Sequence, residues 1–211
     1  MINVIYDEPF GYIEMGENKY RYIKLPCRNF PFTEQFCLQK CFINALSFYA
    51  WYGVISFNKN FDRLYAEAKK IKEKEPGNIK RKFDNFLKRE RIDLRVEIES
   101  FIDGNDENLY LAPIDEILRQ GIPIIAIYNV DIEEAEDEPS DSYHSIVLCG
   151  RMTENFIVWD PNKRRYPYQK PIIPFEEGWS TTRYTGLYLY RKKLRIRRKV
   201  IKGPSLERWI R

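Results

Sequence analysis

The sequence predicts an α+β domain, with helices gathered first and an antiparallel sheet after them. Three observations lead there. Apolar residues recur at helical spacing between positions 41 and 87. Beyond position 94 the apolar segments are short, and either alternate with charges or run unbroken, as strands do. The 211 residues, 44% hydrophobic and 15% aromatic, suffice for one domain with a sizeable core and are far too apolar for a disordered chain.

Taken in order, Tyr12–Met15 and Lys19–Ile23 flank Gly16-Glu17-Asn18, a hairpin signal. Residues 1–30 read as an N-terminal extended or hairpin segment, ahead of a main domain over 31–190 and a basic tail over 191–211. Cys41 to Tyr52 is apolar nearly all round, lacks internal Gly or Pro, and stops at Gly53, the pattern of a helix buried on most sides. Two amphipathic helices follow, one carrying Phe61, Leu64, Tyr65, Ala68 and Ile71, the other Ile79, Phe83, Phe86 and Leu87. Leu94, Val96 and Ile98 mark a half-buried strand, and Pro113 introduces a short helix over 114–119. Strands are expected at Ile122–Tyr128, Ser145–Cys149, Asn155–Asp160 and Leu187–Tyr190.

Composition narrows the function classes. Four cysteines (Cys27, Cys37, Cys41 and Cys149) make no disulfide framework, and with one histidine they complete no zinc set, so neither metal nor cofactor is expected. The abundance of Lys, Glu, Arg, Ile and Tyr is of the thermophile kind, which leaves a Cys27–Cys37 bridge open. No apolar run approaches the roughly 20 residues of a membrane span, and the first residues lack signal-peptide character, so the expected location is cytoplasmic. The net charge of +4 is unevenly spread. Residues 191–211 hold ten Lys or Arg and one acid, whereas Asp131–Asp141 holds seven acids and no base. The tail is a candidate for weak contact with nucleic acid or an anionic surface, against the plainer reading of a solvated terminus. The acidic stretch, just before His144, is a candidate for favouring cationic substrates.

The chemistry-bearing residues point to nucleophilic cysteine catalysis, which needs a thiol, a histidine to activate it, a group to orient the histidine, and oxyanion donors. Cys41 opens the buried helix, where unpaired N–H groups and the macrodipole favour an anion. By itself a cysteine there is more often a small core residue. His144 is the single histidine. If the last two central strands form a hairpin centred on Met152, His144 and Asp160 stand directly opposite, with Cβ atoms roughly 4.5–5.5 Å apart. Cys149 has the opposite parity and points away. Gln35, six residues before Cys41, is placed to fold over the helix start as an oxyanion donor.

Gln35-x5-Cys41, then Asn44-Ala45-Leu46 and Tyr52-Gly53, resembles the opening of the papain-like cysteine peptidases that process double-glycine bacteriocin leaders. The stretch Pro113–Asn129, the strand His144–Gly150 and the segment Ile157–Pro161 resemble that family's later blocks in the same order, over about two-thirds of the chain. The resemblance implies a papain-like fold, a buried catalytic helix against an antiparallel sheet, without the membrane region that follows the domain in transporters. It implies Cys41 as nucleophile, His144 as general base and acid, Asp160 as its orienter and Gln35 as oxyanion donor. The activity implied is thioester-mediated hydrolysis of a peptide or protein substrate. An acyl or glutamyl transferase with the same triad, and a non-catalytic interaction module, stand as alternatives. Lys40 and Phe42 replace the family's Asp and Gly beside the cysteine, and Phe42 is expected to narrow the cleft.

Overall fold

The apolar segment that dominates the first half of the chain folds into a helix, α1 (Cys37–Trp51), in which every residue from Leu38 to Tyr49 is buried. It begins one turn before the expected start at Cys41. Nothing in Cys37-Leu38-Gln39-Lys40 breaks a helix, and Leu38 extends the apolar stripe that Cys41, Phe42 and Ala45 continue. Gly53, at φ 68°, turns the chain out of the helix in a conformation that a side chain would strain. In this computed structural model the residues described are 9–26, 30–31, 36–56, 60–71, 76–101, 110–129, 143–163, 166–180, 182 and 184–191.

Two amphipathic helices cover α1. The first, α2 (Phe61–Ala68), is capped by Asn60, whose Oδ1 accepts the Arg63 N–H at 2.9 Å. The second, α3 (Pro76–Arg89), carries Lys88 and Arg89 in its last turn, where cations suit the helix dipole. The Phe42 ring stacks on Phe83 at 3.9 Å between centroids and meets Phe86 edge-on at 5.6 Å. Phe42 is therefore part of the core between α1 and α3 and does not narrow a cleft. Lys40 is likewise fully buried.

The described strands are β1 (Phe10–Met15), β2 (Asn18–Ile23), β3 (Arg95–Ser100), β4 (Ile124–Asn129), β5 (Tyr143–Arg151), β6 (Asn155–Trp159), β7 (Tyr168–Pro171) and β8 (Thr185–Tyr190). All pair antiparallel, in the order β1-β2-β5-β4-β8-β3, and β6 joins β5 to β7. The N-terminal hairpin reaches the sheet through Tyr22 opposite Gly150, and Ile23 and Leu25 enter the common core. Only glycine fits at position 150, because a Cβ would stand 2.6 Å from the Arg21 carbonyl oxygen. The other described helices are α4 (Leu111–Arg119), which packs on β4 and β5, and α5 (Ile172–Ser180), which packs on β4 and β7.

The β5–β6 hairpin turns later than expected. Its turn lies at Thr153–Glu154, where the Met152 N–H donates to the Asn155 carbonyl at 2.7 Å, so it is not centred on Met152. Val147 faces Trp159 and Leu148 faces Val158, then a bulge at Cys149 shifts the pairing to Gly150–Ile157. His144 and Asp160 are thus diagonal neighbours, not directly opposed. The shift is by two residues, so both side chains still share a face; a shift of one would have separated them.

The strand β7 and helix α5 are not foreseen from the sequence. Pro174 and Gly178 both argue against a helix there. The packing supplies the reason for the glycine: a Cβ at 178 would stand 2.3 Å from the Asn129 carbonyl oxygen, so α5 rests directly on the β4 backbone. Phe175 and Trp179 anchor it, 5.0 Å apart, with Trp179 also edge-on to Phe101 and Tyr110. Gly178→Ala is expected to destabilise the fold by about 1–3 kcal/mol, because backbone stands on both sides of the clash. A thermal unfolding midpoint unchanged from that of the parent protein would refute this.

Candidate active site

His144 is the second residue of β5, and its position follows from the pairing of Tyr128 with His144 and Asn129 with Tyr143 at the strand end. Its Nε2 hydrogen-bonds Asp160 Oδ1 at 2.9 Å. Asp160 follows the last residue of β6, and the same oxygen accepts the Asn162 N–H at 2.8 Å, a turn that fixes the carboxylate. Both side chains are buried, with residue exposures of 7% and 5%. The Cys37 sulfur stands close enough to the imidazole to act on its pKa. With Nε2 held by Asp160, Nδ1 is the ring nitrogen left for another partner.

Electrostatics follow from this arrangement. Burial favours neutral imidazole, but the hydrogen bonds and charges of Asp160 and Cys37 outweigh it and push His144 up to about 9. Burial also opposes the Asp160 carboxylate, yet His144, the Asn162 N–H and the charge on Lys170 hold it below its ordinary value. The Tyr128 ring meets the imidazole edge-on at 5.6 Å.

Cys37 occupies the first position of α1, is a free thiol, and is only partly buried. The N-cap residue Phe36 makes no side-chain capping bond, and the first turn carries no acid. The expectation for Cys41 does not match this geometry. Cys41 lies one turn deeper, has no exposed surface, and its thiol donates to the Ser145 carbonyl at 3.1 Å. Burial above all, then the nearby Cys37, Asp160 and Cys149, push its pKa well up, against a small opposing effect of Lys40. The structure therefore joins His144 to Asp160 and to Cys37, and leaves Cys41 behind them. Cys37 differs from the expectation because α1 begins one turn before Cys41, as the unbroken helical stripe through Leu38 allows.

Gln35 and Cys27 lie outside the described residues, as do positions 131–141 and 192–211. Relative to Cys37, Gln35 stands two residues upstream, and the sixth upstream residue is Pro31, whose side chain has no donor. Cys149 is buried at the bulge, and its thiol donates to the Val147 carbonyl. Among the described residues no group of His, Cys, Asp and Glu could hold a metal ion, and no helix is long and apolar enough to cross a membrane. A groove of about 470 Å³ lies at the far end of β5, lined by Phe10, Arg21, Tyr22, Asp115, Arg119 and Arg151 among others. It shares no residue with the Cys37–His144–Asp160 cluster, which defines the candidate site on chemical grounds.

No family profile matches the sequence, and no curated protein matches it. Among solved structures, the fold is similar to one assigned as a C39-like peptidase from Bacillus anthracis, at 16% identity and a TM-score of 0.37. That match covers 52% of this chain and 57% of the other, so the chain spans little more than half of that protein. A likeness so distant and partial leaves the chemistry to this chain's own residues.

Proposed function

We propose that the protein is a cysteine-dependent amide or peptide hydrolase that works through a thioester on Cys37. The observation that supports this reading is the cluster itself: a partly exposed sulfur at a helix start, close enough to act on an imidazole whose Nε2 is held by a buried carboxylate. In the first step Cys37 passes its proton to His144 Nδ1, and the sulfur attacks the carbonyl carbon of the scissile amide. The tetrahedral oxyanion is met by first-turn N–H groups of α1, which the N-cap residue Phe36 leaves without a side-chain cap. Collapse breaks the C–N bond, and the leaving amine takes the proton from the imidazolium. Water then attacks the thioester with His144 as base, releasing a carboxylic acid and restoring the thiol. Asp160 holds Nε2–H throughout and thereby keeps Nδ1 aimed at the sulfur.

Two residues that argued for a non-catalytic module no longer do so, since Lys40 and Phe42 are both inside the core. The test is acylation with a p-nitrophenyl ester. One equivalent of nitrophenol should be released in a burst, and peptide mass spectrometry should find the acyl group on Cys37. An adduct distributed over several cysteines, or none, overturns the reading. Added primary amines separate the two enzymatic outcomes: the free acid marks a hydrolase, and an amide product a transferase.

A further inference from the structure

Lysine is seldom buried without a task, and Lys170 is 7% exposed. It sits in β7 opposite Phe156 of β6, the strand that delivers Asp160. Its ammonium lies 4.8 Å from the centre of the Tyr128 ring and 5.7 Å from that of Phe175. Those two rings meet edge-on at 4.9 Å, and Tyr128 in turn abuts His144. The cation is thus seated on an aromatic platform directly behind the His144–Asp160 pair.

We propose that Lys170 is a positioning residue of this site, its ammonium opposing positive charge on His144 and keeping Asp160 in its carboxylate form. The need for such a charge follows from the geometry. Cys37 and Asp160 both favour the imidazolium, and an imidazole that grips its proton is a poor base near neutral pH. A third charge of positive sign, seated against the aromatic rings beside the pair, weakens that grip. The charge on Lys170 helps hold Asp160 below its ordinary value, and the Tyr128 ring on which it sits abuts the imidazole, so the same positive potential opposes a proton on His144 under the proposal. Among the described residues, the groups acting on the pair are Cys37 and Cys41 from α1, Tyr128 from β4 and Lys170 from β7. From α5, Phe175 meets Tyr128, while Glu176 accepts from the Tyr184 hydroxyl.

As regards turnover the inference rests on the hydrolase reading, but its primary test does not need a substrate. The chain has one histidine, so a single set of imidazole resonances reports its titration by NMR. Lys170→Met and Lys170→Gln should each raise the His144 midpoint by roughly half a unit. Lys170→Arg should leave it near the parent value. With an ester substrate, the neutral variants should lose several-fold in kcat at pH 7 with KM little changed, and Lys170→Arg should restore it. A folded neutral variant whose His144 titrates as in the parent overturns the proposal, whatever its activity. Should neither neutral variant fold, the Lys170 side chain is titrated in the parent protein by 15N NMR: an ammonium at pH 7 supports the proposal and a neutral amine ends it. Loss of activity in every form, with the His144 shifts as expected, would instead count against the hydrolase reading alone.

Discussion

Cys37→Ala is expected to abolish turnover, with a loss on the order of 10⁵–10⁶ in kcat/KM, whereas Cys41→Ala should retain catalysis. The contrast follows from placement. Cys37 is the sulfur that acts on His144 and is only partly buried. The Cys41 thiol is committed to the Ser145 carbonyl inside the core, and burial keeps it protonated. Its truncation to alanine removes a packed sulfur and leaves that carbonyl without its donor, which costs about 1–3 kcal/mol of stability. The two variants therefore fail in different assays, one in turnover and one in unfolding. Iodoacetamide labelling of the folded protein should follow the same division, modifying Cys37 and sparing Cys41 until denaturant is added. Full activity in Cys37→Ala, or loss of activity in a well-folded Cys41→Ala, would return the nucleophile to Cys41.

Asp160→Ala should bring the His144 titration well down from about 9. Of the effects on the imidazole, burial is the largest and lowers its pKa; removing the carboxylate takes away the main opposing hydrogen bond and charge. Asp160→Asn, which keeps an acceptor but no charge, should fall between. The stability consequence has a definite sign. A folded value above the unfolded 6.5 means that His144 stabilises the fold fully below pH 6.5 and progressively less as pH rises through 9. Asp160 is depressed, so its contribution is present above the ordinary carboxylate value near 3.8 and is lost on acidification. The pair is most stabilising between these limits, by on the order of 3 kcal/mol for the histidine shift. Urea unfolding at pH 5.5, 7.5 and 9 should show the gap between parent and Asp160→Ala closing as pH rises. A gap independent of pH would mean that the carboxylate is held by something other than the imidazole. In turnover, Asp160→Ala should cost about 10²–10⁴, since the imidazole loses its fixed orientation.

Local signals were enough for much of this architecture. The apolar run around Leu46 and Phe48, the two stripes through Leu64 and Phe83, and the unbroken Ile124–Tyr128 segment are helices and strands in the structure as the periodicity predicts. Where local propensity conflicts with packing, the reading stopped short: Pro174 and Gly178 disguise α5, whose glycine is there because a strand carbonyl occupies the space of its side chain.

The composition and patterning of the chain by themselves determined the α+β class, the buried first helix, and the pairing of its one histidine with Asp160 on one face of a hairpin. Parity along a strand is a local property and survives a two-residue error in register. Only the tertiary structure decided which of two cysteines a turn apart meets that histidine, and which residues stand behind it. Cys37 and Cys41 lie on the same helical stripe, so sequence periodicity treats them alike; the approach of β5 to the start of α1 leaves one beside the imidazole and presses the other against the Ser145 backbone. Lys170, similarly, is one of many lysines in the sequence, and its burial over Tyr128 and Phe175 arises from contacts between β7, β4 and α5. Contacts between segments distant in the chain leave no periodic trace in any one of them, and it is these contacts that assemble the site.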